Sequence, residues 1–211
     1  MPRANKINKR LKQLLPEVQS ELIFNNLYQL TVAVILSAQT TDVAVNKVTP
    51  GLFERFPDFF ALAAADYKEL KDIIKTIGLA PSKAKNLIAL SKKLISEKEG
   101  EIIPDFDYLL TLPGVGPKTA NVILSEGFAI PRIAVDTHVL RVANRLQLAV
   151  GSNPRKIEHQ LCDLYPPREW HQLHLRLVLF GRYYCKAKKP RCNICPLTAF
   201  CQYYTNYSPE K

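Results

Sequence analysis

Over 211 residues the chain never alternates apolar and polar side chains for the length of a half-buried strand. Its apolar residues recur at helical spacing nearly everywhere, which predicts an all-α fold. In Asp66-Tyr-Lys-Glu-Leu-Lys-Asp-Ile-Ile-Lys-Thr-Ile-Gly78, Leu70, Ile73, Ile74 and Ile77 share one face. Asp66 stands where a helix is capped and Gly78 where one stops. After Pro81, Ser82 is placed to cap a second helix, with Ala84, Leu87, Ile88, Leu94 and Ile95 in a stripe running to Gly100 and a lysine-rich outer face. The first half of the stretch from Tyr28 to about Val48 is apolar on all sides, which predicts a central helix packed by its neighbours. Further on, Val139, Val142, Ala143 and Leu146 define a helix opened by Asp136. Asn153-Pro154 opens another that carries Ile157, Leu161 and Leu164, and a last one runs from Arg168 to about Tyr183.

A hydrophobic content of 47% is enough for one or two packed domains and too high for disorder. The excess of 29 Lys and Arg over 19 Asp and Glu, a net charge of +10, points to a polyanionic partner, either nucleic acid or an acidic membrane surface. A membrane span is not expected, because the longest apolar run, Leu30 to Ala38, falls far short of the roughly 20 residues a bilayer core requires. The basic amino terminus has no apolar region behind it, so no secretory signal is expected. A cytoplasmic, nucleoid-associated location follows as an expectation.

Four of the five cysteines crowd into the last 27 residues as Cys185-x6-Cys192-x2-Cys195-x5-Cys201. In a reducing compartment this reads as a metal site. Four thiolates suit a tetrahedral zinc or an iron–sulfur cube. Zinc sites usually use two close couples, and one couple flanked by longer arms favours a [4Fe–4S] cluster. Lys186, Lys188, Lys189 and Arg191 lie between the first two cysteines, a cationic loop that a bound cluster would hold rigid against DNA phosphates. Cys162, beside Leu161, is expected to be a small core residue.

The segment from Phe106 to Gly127 sets a Pro-Gly-Val-Gly turn between two short apolar helices. Gly114 and Gly116 permit backbone conformations and close approaches that a side chain would block. Around Val115 and Thr119, amides at the start of the second helix can face an anion such as a DNA phosphate. This resembles the helix-hairpin-helix motif, which grips the DNA backbone without reading bases. Lys118 sits in the first turn of the helix opened by Pro117, where the helix dipole and substrate desolvation disfavour an ammonium, and a neutral amine is a nucleophile. Asp136 puts a carboxylate at another helix start, where capping is compatible with stabilising positive charge on a sugar.

Taken with Leu36-Ser-Ala-Gln-Thr-Thr-Asp42, Ile77-Gly-Leu79, Val135-Asp-Thr-His138 and Gly181-Arg-Tyr183, these motifs resemble the endonuclease III branch of the helix-hairpin-helix DNA glycosylases over nearly the whole chain. The resemblance implies an enzyme that excises oxidised pyrimidines from double-stranded DNA and nicks the resulting abasic strand. Lys118 matches the Schiff-base lysine and Asp136 the catalytic aspartate. Gln39 would enter the space left by the flipped nucleotide, and Leu79 would wedge near the opposite base.

The resemblance also implies two helical lobes with a cleft between them: residues 20–131 with the hairpin, and residues 1–19 plus 132–211 with the cluster. A monomer is expected. Pro117, Phe180 and Ala80-Pro81 depart from the family's usual residues, which bears on lesion preference. Two alternatives remain open at this point: a monofunctional adenine or mismatch glycosylase, against which Lys118 argues, and a noncatalytic iron–sulfur DNA-binding protein.

Overall fold

A computed structural model describes residues 3–207, and every regular element among them is helical. The chain divides into two units, one spanning Ser20–Ile130, the other joining the amino-terminal arm up to Gln19 with the chain from Pro131 onward. Helix α1 (Arg3–Leu14) belongs to that second, discontinuous unit.

The unit spanning Ser20–Ile130 contains α2 (Leu27–Ser37), α3 (Asp42–Arg55), α4 (Phe59–Ala63), α5 (Tyr67–Ile73), α6 (Ala80–Lys98), α7 (Phe106–Thr111) and α8 (Pro117–Val122), the last continuing through a π-helical turn, Ile123–Gly127. Every residue from Leu30 to Leu36 is buried, so α2 is the central helix that its composition predicts. Full burial of one such aliphatic side chain contributes about 1.5–3 kcal/mol. Gly127 makes room for this packing, since a Cβ there would meet Leu27 Cδ2 at 2.5 Å and Leu30 Cδ2 at 3.1 Å.

The stretch read as one helix from Tyr28 to Val48 is two. Ala38 leaves the helical region with a ψ of 120°, Gln39 takes a left-handed backbone, and Thr41 Oγ1 accepts from the Ala44 N–H to cap α3. The Thr-Thr-Asp sequence offers the backbone a capping turn in place of continued helix.

Two further boundaries differ from expectation. Asp66 does cap α5, accepting from the amides of Lys68 and Glu69, but the helix stops at Ile73. Ile74 and Ile77 are buried from turns instead, in a β-branched stretch that is a weak helix former. Ser82 does not cap α6. Its hydroxyl donates to the Leu79 carbonyl at 3.0 Å, and the helix starts at Ala80 with Pro81 in its first turn. Ala84, Leu87, Leu90 and Leu94 form the inner stripe, with Ile88 and Ile95 half-buried. Lys83, unlike the other lysines of this helix, is 4% exposed and turned inward.

The discontinuous unit adds α9 (Thr137–Arg145), α10 (Pro154–Leu164), α11 (Pro167–Tyr183) and α12 (Gln202–Tyr207) to α1. Its core joins Ile7 and Leu11 of the arm to Val139, Val142, Ile157, Leu161, Leu173, Leu177 and Phe180. Polar contacts fasten the arm as well. Arg3 donates to the carbonyls of Leu146 and Gln147, the Tyr165 hydroxyl donates to the Ala4 carbonyl, and Arg176 donates to those of Leu15 and Pro16. Asn153 caps α10 as its sequence predicts, whereas Leu164 is 41% exposed and Tyr165 fills the core beside it. Helices α9 and α11 approach so closely that a Cβ on Gly181 would lie 2.9 Å from His138 Cβ. Among the described residues no helix is long and apolar enough to cross a membrane.

Candidate functional site

The Gly-rich turn is built as its sequence suggests, but its two glycines do different work. The Val115 amide donates to the Leu112 carbonyl at 3.0 Å and closes the turn. Gly114 has a φ of 84°, and a Cβ there would stand 3.0 Å from Asn86 Cβ on α6, so conformation and packing both require glycine. Gly116 is the extended N-cap of α8, and a Cβ added to it would meet nothing within 4 Å. The protein's own packing does not demand that glycine; its effect is to leave the backbone bare.

Lys118 follows in the first turn of α8 with its side chain exposed. The first N–H groups of a helix have no intrahelical acceptor, so the backbone around Lys118 and Thr119 suits an anion. The Val115 and Thr119 side chains are each only 7% exposed, which leaves main chain as what this turn offers.

In the same unit, Gln39 and Leu79 are exposed at the tips of two neighbouring loops, Leu79 at 53%. Both hold a left-handed backbone, with φ of 54° and 62°. Such a conformation costs a non-glycine residue about 1 kcal/mol or more and persists only where surrounding structure enforces it. Gly78 allows the loops to touch, because a Cβ there would lie 3.2 Å from the Gln39 carbonyl oxygen.

In the discontinuous unit, Asp136 is the N-cap of α9, its Oδ1 accepting from the Val139 amide at 2.8 Å. One turn along, Arg141 binds His138 Nδ1 at 3.1 Å and the carbonyls of Gly181 and Cys185 at 2.7 and 2.9 Å. Burial pushes the Arg141 guanidinium below its usual value. Arg141 thus ties the start of α9 to the end of α11, a role with no signal in local sequence.

Cys185, Cys192, Cys195 and Cys201 line one small pocket, walled by Phe180, Leu146 and Tyr184. A zinc with sulfur ligands at 2.3 Å needs those sulfurs packed within roughly 4 Å of each other. Among the described residues, no three His, Cys, Asp or Glu side chains are grouped to hold a single ion. Four soft donors facing one pocket, spaced as one close couple with longer arms, fit a cluster. Burial pushes the Cys195 thiol up to about 11, so a bound cation would be needed to hold its thiolate.

Arg145, likewise without a signal in local sequence, donates to Cys185 Sγ at 3.3 Å, and the Tyr204 amide donates to Cys201 Sγ at 3.4 Å. The same Arg145 lies 3.9 Å above the Tyr203 ring and donates to the carbonyls of Lys186 and Ala187. It therefore clamps the loop whose Lys186, Lys188, Lys189 and Arg191 are all exposed. Phe180 stacks on Tyr184 as part of the cavity wall, so its departure from the usual residue bears on the metal site.

Residues 32–167 match the HhH-GPD superfamily of base excision DNA repair proteins, and residues 185–201 match the iron–sulfur binding domain of endonuclease III. The chain is 47% identical to an endonuclease III of Rickettsia conorii over 202 residues, 96% of each chain. It is 43% identical to an Escherichia coli K12 endonuclease III over 194 residues, 92% of each. Among solved structures, a trapped endonuclease III–DNA covalent intermediate matches with a TM-score of 0.93 and 41% identity, covering 98% of this chain and 99% of that one.

Proposed function

The chain belongs to the endonuclease III family of base-excision DNA repair proteins, it is a DNA glycosylase with abasic-site lyase activity, and we propose that Lys118 is its nucleophile and Asp136 its charge-stabilising carboxylate. The observation that carries this reading is the exposed Lys118 side chain, in the first turn of a helix that starts on the bare backbone of Gly116. The substrate is double-stranded DNA with an oxidised pyrimidine or an abasic site, engaged by a monomer at the nucleoid.

The damaged nucleotide must leave the stack, at a cost of a few kcal/mol. Gln39 and Leu79, exposed on two touching loops, offset that cost by occupying the vacated space and pressing beside the opposite base. The Lys118 amine forms a bond to C1′ as the bond to the base breaks, and the base departs with a proton. Asp136 stabilises the positive character that develops on the sugar, its carboxylate already oriented by the Val139 amide. Ring opening leaves a Schiff base, which acidifies the C2′ proton. Loss of that proton expels the 3′ phosphate and nicks the strand by β-elimination.

The cofactor is a [4Fe–4S] cluster. Cys185, Cys192, Cys195 and Cys201 hold it, and it cross-links the basic loop. Lys186, Lys188, Lys189 and Arg191 then meet backbone phosphates, as does the turn at Gly114 to Thr119.

Borohydride reduction on abasic DNA tests the reading directly. The parent protein should form a covalent adduct, and Lys118→Gln should form none while still binding the DNA. An undiminished adduct with Lys118→Gln would remove Lys118 from the mechanism.

A further inference from the structure

Lys83 is the buried cation of the Ser20–Ile130 unit that neither the hairpin nor the nucleophile explains. A lysine this buried, at 4% exposure, is rare unless its charge is fully bonded. Its Nζ lies 2.8 Å from the Leu36 carbonyl oxygen, 2.6 Å from that of Ala38 and 3.2 Å from Thr40 Oγ1. Three acceptors match the three donors of an ammonium group. Two of them are carbonyls at the carboxyl end of α2, which have no helical partner and where the helix dipole favours a cation. Meanwhile the Lys83 backbone N–H donates to the Leu79 carbonyl at 3.0 Å. One residue thus bonds the carbonyls or hydroxyl on both sides of Gln39 and the carbonyl of Leu79 itself.

We propose that Lys83 is a positioning residue, which locks the left-handed turns at Gln39 and Leu79 into one rigid wedge and so sets the rate of nucleotide extrusion without touching DNA. This rests on the reading of Gln39 and Leu79 as the residues that fill the vacated stack. The physical logic is preorganisation: a wedge already held in its strained conformation loses little further freedom on entering the duplex. Methionine at residue 83 keeps the length and apolar stem of lysine but takes the ammonium away from the Leu36 and Ala38 carbonyls, leaving Ala38 with the long 3.4 Å bond from the Thr40 hydroxyl. Gln39 is then free to leave the left-handed region.

The test compares single-turnover base release from a lesion in duplex DNA, base release from the same lesion in single-stranded DNA, and strand cleavage at a preformed abasic site. Lys83→Met should slow duplex base release on the order of tenfold or more. It should change the other two less than about threefold, because neither requires a paired base to be displaced. Gln39→Ala should slow duplex base release similarly, and Lys83→Met added to Gln39→Ala should do little more, since both act through one wedge.

Lys83→Arg, which restores a donor cation, should recover part of the rate. Thr40→Val removes one acceptor of the ammonium together with the hydroxyl's own 3.4 Å bond to the Ala38 carbonyl, and gives a second probe with a smaller effect of the same pattern, should Lys83→Met fail to fold. Equal slowing on all three substrates, or full additivity with Gln39→Ala, would make Lys83 a structural cation only and overturn the proposal. If Gln39→Ala were itself as fast as the parent on duplex DNA, the wedge reading would fall instead, which separates the two failures.

Discussion

Gly78 presses against the backbone of Gln39: a Cβ on residue 78 would stand 3.2 Å from the Gln39 carbonyl oxygen and 3.4 Å from Thr40 Oγ1. That contact is tighter than ordinary van der Waals packing, and the neighbour is main chain in a strained turn rather than the end of a flexible side chain. Gly78→Ala must therefore push the loop at 38–41 outward by a few tenths of an ångström. Overpacking of this kind costs about 1–3 kcal/mol. Denaturant unfolding should show that loss, and base release from duplex DNA should slow more than cleavage at a preformed abasic site. Unchanged stability and unchanged base release would mean that the two loops yield freely.

Asp136 has two duties that substitution can separate. Asn caps a helix about as well as Asp, so Asp136→Asn should keep the bond to the Val139 amide and melt within a few degrees of the parent. The negative charge is gone, and base excision should fall on the order of 10²-fold, the size expected when one group aimed at transition-state charge is removed. Asp136→Ala should lose the activity and also about 1 kcal/mol of stability through the missing cap. Near-parental excision by Asp136→Asn would leave capping as its sole role.

The caps at Asp66, Asp136 and Asn153 were legible because a cap acts within three residues of itself. So was the turn around Gly114, whose conformation a short string encodes. Lys83 was not. A lysine three residues into an amphipathic helix reads as solvated, and its burial depends on α2 ending against it some 45 residues earlier in the chain. Arg141 and Arg145 were hidden for the same reason, since their partners lie around Cys185, about 40 residues downstream. The break at Ala38–Thr41 was missed because the apolar run of α2 outweighed the capping threonine behind it. Local chemistry survives in a one-dimensional reading, while long-range satisfaction of buried polar groups does not.

Alkaline pH should unfold the Ser20–Ile130 unit partly through Tyr28. This tyrosine is 8% exposed, donates to the Phe56 carbonyl and sits edge-on to Phe59, and burial, helped by Asp58, pushes its phenol well above 10. The folded protein keeps that proton where the unfolded chain releases it. Its contribution to stability is thus complete below pH 10 and is lost as pH rises above that value, with a limiting slope of about 1.4 kcal/mol per pH unit for one group. Tyr28→Phe should be less stable by about 1 kcal/mol at neutral pH, since the Phe56 carbonyl loses its donor. Between pH 10 and 11 its unfolding free energy should decline less steeply than the parent's, as measured by urea titration at each pH. Parallel declines would show that Tyr28 does not carry the alkaline sensitivity.

The basic loop after Cys185 is held at more than its cysteines. Arg145 binds the carbonyls of Lys186 and Ala187, and the Arg191 amide donates to the Tyr184 carbonyl at 2.9 Å, so the loop is closed on itself at both ends. Charges on such a loop lose less entropy on meeting phosphate than charges on a free tail. On duplex DNA, log affinity falls with log salt by roughly 0.9 for each phosphate neutralised. Lys188→Ala with Lys189→Ala should therefore weaken binding to unrelated sequences alike and flatten the salt slope by about 0.9 to 1.8, with excision at saturating DNA nearly unchanged. Removing the cluster by chelation should weaken binding in the same way, as the loop loses its anchor at Cys192. A salt slope identical to the parent's in the double variant would show that these lysines only face solvent.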